Sequence, residues 1–169
     1  MQQGNKLYLG KARYVKDGIS ISEEFMKIAS DDEETAKLLC RQGRYNQSAY
    51  YFIQSMEKYI KYYISKKVDI SNPFFANKVR ETGHSLDLSV DFLIEIMAGN
   101  NDTMRKQISE QLKNKILRGI RFSGIYNAVR YPLYNNGTYK ILEMSYEDCE
   151  TIKSIYSVLK RTLSDLDRI

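Results

Sequence analysis

The sequence has one histidine, two cysteines, two prolines and no tryptophan, and these scarcities remove whole classes of function. One histidine, with Cys40 and Cys149 far apart and outside any Cys-x-x-Cys spacing, is too few ligands for a structural zinc site. Two thiols are also too few for a disulfide scaffold, which points to a reducing cytoplasm. No apolar run approaches the roughly 18–20 residues that span a bilayer, and residues 1–18 lack the apolar core of a signal peptide. The expected protein is therefore cytoplasmic and free of the membrane. No glycine-rich phosphate loop and no nucleophile-elbow spacing occurs, and the residues imply no cofactor.

What the chain does have is a long amphipathic stretch at residues 44–67, RYNQSAYYFIQSMEKYIKYYISKK. Ala49, Phe52, Ile53, Met56, Ile60 and Ile64 recur at steps of three and four, which places them on one stripe of a helix. Glu57 and Lys61 stand four apart in the order that favours an ion pair. Such a helix is about 36 Å long, and its apolar face requires other helices to cover it. The 169-residue length suits one domain with a real core. A net charge of +5 is compatible with an ordinary solvated surface and with a polyanionic partner.

Taken in order, residues 1–20 read as an N-terminal arm and 21–169 as a single helical domain. A first helix is expected over 22–42, broken near Ser30, where Ser30-Asp31-Asp32-Glu33 reads as a capping box. Gly43 is placed to end that helix, and Ala36, Leu39 and Cys40 to face the core. After the spine, Pro73 argues against helix. A third helix is expected over 83–98, with Leu86, Val90, Leu93, Ile94 and Met97 inward. A fourth is expected over 102–123, burying Met104, Ile108, Leu112, Ile116 and Ile120. Its outer face carries Arg105, Lys106, Lys113, Lys115, Arg118 and Arg121, the most basic in the chain. Asn135-Asn136-Gly137 is a turn signal, and 131–134 could pair with 138–142 as a hairpin or remain extended loop. A last helix over 145–167 opens on Ser145 and Asp148 as a capping pair. The fold class is all-α, an up-down bundle of about five helices.

Three pieces of this pattern resemble the HEPN (higher eukaryotes and prokaryotes nucleotide-binding) domain family. They are Gly43-Arg44-Tyr45 to Ala49 continuing into Glu57-Lys58-Tyr59-Ile60-Lys61, then Thr82-Gly83-His84-Ser85-Leu86, then Tyr126 through Arg130-Tyr131-Pro132. The resemblance implies a bundle of four to five helices, usually dimeric, and in prokaryotes often tied to toxin–antitoxin or defence systems. It therefore implies a homodimer, a nucleotide or RNA ligand, and an antitoxin or other protein partner. Ribonuclease members carry an arginine, four to six residues, then a histidine, and work without a metal. Here His84 follows Arg80 by only three intervening residues, and Arg130 has no histidine after it, so that motif is not matched.

The candidate catalytic pair is His84 and Arg80. Histidine titrates near neutrality and suits removal of a 2′-hydroxyl proton, while arginine offers a two-pronged phosphate contact. The pair shares a helix face only if Gly83 leaves the helix unbroken. Otherwise His84 sits at a helix start and hydrogen-bonds a neighbouring element. The candidate nucleotide or RNA contacts are Tyr126, Arg130 and Tyr131, with Arg118 and Arg121 on the basic face. The alternative buries both tyrosines and pairs Arg130 with an acid such as Glu57. Three functions stay open: binding of a nucleotide, RNA or protein without catalysis, a metal-independent endoribonuclease, and a pure protein-interaction module.

Overall fold

A helical hairpin anchors the molecule. In the computed structural model, which describes residues 10–166, α1 (Gly18–Arg41) turns through Gly43 into α2 (Tyr45–Lys67). Gly43 lies at φ 72°, where its N–H donates to the Cys40 carbonyl and that of Arg44 reaches back to Leu39. This is the left-handed cap that a glycine makes cheap. The two helices meet along a seam of small residues spaced seven apart, Ala29 and Ala36 against Ser48 and Ser55. The Ser48 hydroxyl donates to the Ala36 carbonyl at 2.9 Å and that of Ser55 to Ala29 at 2.5 Å. Small side chains allow this close approach, and the hydroxyls find acceptors inside it.

The expected break at Ser30 is absent. Ser30 Oγ donates back to the Met26 carbonyl within the helix, and the cap belongs instead to Asp17, which accepts from Ser20 N at 2.7 Å. That bond holds the Asp17 carboxyl below its ordinary range. With Ala29 and Ala36 both buried on the α2 seam, the helix gains by running straight through. It starts four residues earlier than expected, and residues 1–9 of the expected arm lie outside the described residues.

Next come α3 (Pro73–Glu81), α4 (Leu86–Ala98), α5 (Asp102–Ser109), a π-helical segment (Glu110–Ile116), α6 (Phe122–Ala128), β1 (Leu133–Asn135), β2 (Thr138–Lys140) and α7 (Tyr146–Leu166). The class is all-α, and the spine α2 packs on α1, α4, α6 and α7. All six predicted apolar positions of α2 are fully buried. The capping pair before α7 is formed in both directions, Ser145 N to Asp148 and Asp148 N to Ser145.

Two expectations are corrected. Pro73 does not exclude a helix but begins α3, with Asn72 as the cap, because the first helical turn needs no N–H from that residue. The fourth helix is not continuous. It widens into the π segment, where Leu117 N reaches the Leu112 carbonyl, then stops at Arg118 and Gly119, both at positive φ, before α6. Leu112 and Ile116 are buried as expected, but Met104 is 43% exposed.

Candidate functional site

The three sequence pieces converge on one side of the spine. Glu57 and Lys61, one turn apart on α2, form a buried ion pair. Lys61 Nζ also donates to the Gly83 carbonyl at 2.7 Å, which pins the turn between α3 and α4 to the spine. That turn continues into Ser85, whose hydroxyl caps Leu88 N and meets the Ser123 hydroxyl at 2.8 Å. Asp87, two residues further on, accepts the backbone N–H groups of Phe122 and Ser123 at 3.3 and 3.0 Å. It thus supplies the cap that α6 lacks locally, since Arg121 at the N-cap position offers none. Sequence reasoning missed Asp87 because a cap borrowed from another helix leaves no local pattern.

At the other end of α6 the aromatic cluster assembles. Tyr126 is buried and stacks on Tyr50 of α2, ring centres 5.2 Å apart at 24°. The Arg130 guanidinium lies 4.9 Å from the Tyr126 ring, 5.6 Å from Tyr50 and 4.9 Å from Tyr131. It also donates to the Tyr131 hydroxyl at 3.0 Å. Glu57 is committed to Lys61, and among the described residues no carboxylate pairs with Arg130. The alternative that seated Arg130 on Glu57 is therefore corrected, as is burial of Tyr131, which is 57% exposed. Burial raises the Tyr126 phenol above its ordinary pKa, as do the neighbouring Tyr50 hydroxyl and the Glu57 charge. Arg130 opposes them. The result is a cation held by three rings with its own surface open to solvent.

His84 and Arg80 are not brought onto one helix face. Helix α3 ends at Glu81, and Gly83 takes φ 53°, so no helix carries both residues. Both side chains are exposed, and no described residue hydrogen-bonds His84. Arg118 and Arg121 lie before the opposite, N-terminal end of α6, a helix of seven residues about 10 Å long. Arg121 lines a cleft of about 480 Å³ between α4 and the π segment, shared with Asp87, Asp91, Lys113 and Asn114. Asp91 is ion-paired with Lys113 across it. Among the described residues no group of three His, Cys, Asp or Glu side chains is placed to hold a metal ion, and no helix is long and apolar enough to cross a membrane.

Neither the curated proteins nor the solved structures yield a match to this chain. The family model described as the HEPN domain matches residues 22–160, a span that contains the Glu57–Lys61 pair, the Thr82–Ser85 turn and the Arg130 cluster. The chain belongs to the HEPN domain family.

Proposed function

We propose that this HEPN-domain protein binds RNA or a nucleotide without cleaving it, with Arg130 on phosphate and the exposed Tyr131 ring against a base. The observation that carries this reading is the Arg130 guanidinium, exposed, ringed by Tyr50, Tyr126 and Tyr131, and unpaired with any carboxylate among the described residues. Arginine next to aromatic rings is the arrangement that combines phosphate contact with stacking. Tyr126 and Tyr50 hold the cation in place. Arg118 and Arg121 extend a basic track beyond the far end of α6. Family resemblance supports a homodimer working beside an antitoxin or other protein partner in a defence setting, and the sparse, unpaired thiols support a reducing cytoplasm.

The test is anisotropy of a labelled single-stranded RNA across a salt series. Arg130→Ala is expected to weaken binding about tenfold for all sequences and to reduce the salt slope by about one. Unchanged affinity and slope would sink the assignment. The endoribonuclease reading keeps one observation in its favour, an exposed His84 imidazole with no described hydrogen-bond partner. RNA cleavage in EDTA that disappears in His84→Ala would establish it in place of silent binding.

A further inference from the structure

Immediately beyond the Arg130 cluster the chain leaves the bundle as the β1–β2 hairpin. The Asn136-Gly137 turn, both residues at positive φ, closes a register that pairs Leu133 with Lys140, Tyr134 with Tyr139, and Asn135 with Thr138. Directly opposed residues share a face, so Tyr134 and Tyr139 stand together on one side. Their ring centres are 5.4 Å apart and edge to face. Nothing in the bundle covers them: they are 68% and 67% exposed, and Ile141, just past the end of β2, is 69% exposed. An isolated two-stranded hairpin is marginal, and burying two tyrosines inward would have steadied it. Instead the rings are displayed.

Charge selects the occupant. From Arg130 to Leu142 the chain contains Arg130 and Lys140 and no acid, and among the described residues neither cation is in an ion pair. A second copy of the chain, docked hairpin to hairpin, would set like charges against each other. A polyanion with flat apolar bases meets both features at once. We propose that the Tyr134–Tyr139 face is a stacking platform for the bases of single-stranded RNA, whose phosphates reach Arg130, three residues before β1. This rests on the reading of Arg130 as a phosphate contact and specifies the ligand.

The experiment measures binding of a short oligouridine and of an abasic strand of equal length. The proteins are wild type, Tyr134→Ala/Tyr139→Ala, Tyr134→Phe/Tyr139→Phe and Arg130→Ala, each checked by circular dichroism and light scattering. Wild type is expected to favour oligouridine by about tenfold, as stacking on an aromatic ring does. The alanine pair should lose most of that preference, Tyr131 keeping its share, the phenylalanine pair should keep it, and Arg130→Ala should weaken both strands alike. Equal binding of both strands by wild type, or an alanine pair that behaves as wild type, overturns the platform while leaving the Arg130 reading intact. Binding of neither strand overturns both. An alanine pair that changes only the size of the assembly, with RNA binding untouched, makes the hairpin a contact between copies and overturns the proposal.

Discussion

Cys149 shows how burial alone sets chemistry in this molecule. Its side chain is fully buried, and its thiol donates to the Tyr45 carbonyl at 3.4 Å. Burial pushes the thiol up to about 11 from an ordinary 9.0, so at neutral pH it holds its proton and is a poor nucleophile. Tyr126 and Tyr156 are raised for the same leading reason, burial. All three groups bind their protons more tightly folded than unfolded, so their contribution is complete below the unfolded pKa. It drains away as pH rises through the folded value. For Cys149 the window runs from 9.0 to about 11 and is worth at most about 3 kcal/mol. Urea midpoints measured at pH 8 and again above pH 10 should fall, and Cys149→Ala should flatten part of that fall. On the acid side the relevant group is Glu33. Burial alone would raise it, but hydrogen bonds from Lys160 and Lys37 outweigh burial and lower it. The α1–α7 tie it makes with Lys160 at 2.6 Å is therefore lost only when the pH falls below the usual glutamate range.

Among the elements, the run from α5 to α6 carries the strain. Its apolar residues Met104, Ile108, Leu112, Ile116 and Ile120 repeat every four positions. At 3.6 residues per turn that spacing drifts by roughly 40° a step, so no straight helix keeps all five inward. The π segment absorbs the drift, holding Leu112 and Ile116 in the core while Met104 turns out. The clue was in the spacing, but a rule that accepts every i+4 step as one stripe overlooks it. The run ends at Arg118, a non-glycine residue at φ 55°, a conformation that disfavours L-residues by about 1–2 kcal/mol. Arg118→Gly is expected to raise stability by about 1 kcal/mol, read as a higher urea midpoint. If Arg118 also belongs to an RNA track, the same change should lower RNA affinity. A destabilised glycine variant would show that Arg118 is held by contacts worth more than the strain. The α1–α2 seam makes the opposite demand. Ala36→Leu there should cost about 1–3 kcal/mol by overpacking, seen as a lowered thermal midpoint.

For the molecule as a whole, the long helices were legible because their 3.6-residue stripes are what the bundle buries, as the six apolar residues of α2 show. α3 was not, since none of its residues is buried and its opening proline resembles a stop. The members of the site were legible as separate motifs, whereas the way they meet depends on contacts far apart in sequence: Lys61 on Gly83, Asp87 on α6, Arg130 between rings from α2 and α6. The Glu57–Lys61 pair is the joint of that assembly, 2% and 7% exposed. Removing one partner of a buried pair strands the other charge and typically costs about 3–5 kcal/mol, whereas replacing both with apolar groups is often close to neutral. Lys61→Met should therefore lower the urea midpoint sharply, and Glu57→Leu/Lys61→Met should recover most of the loss. RNA affinity separates structure from function. If the pair only braces the turn and α6, the double variant should bind nearly as wild type while Arg130→Ala stays weak. A double variant that is stable yet fails to bind would show that the charges themselves, reaching Tyr126 and the Arg130 cluster through the buried site, belong to the binding surface.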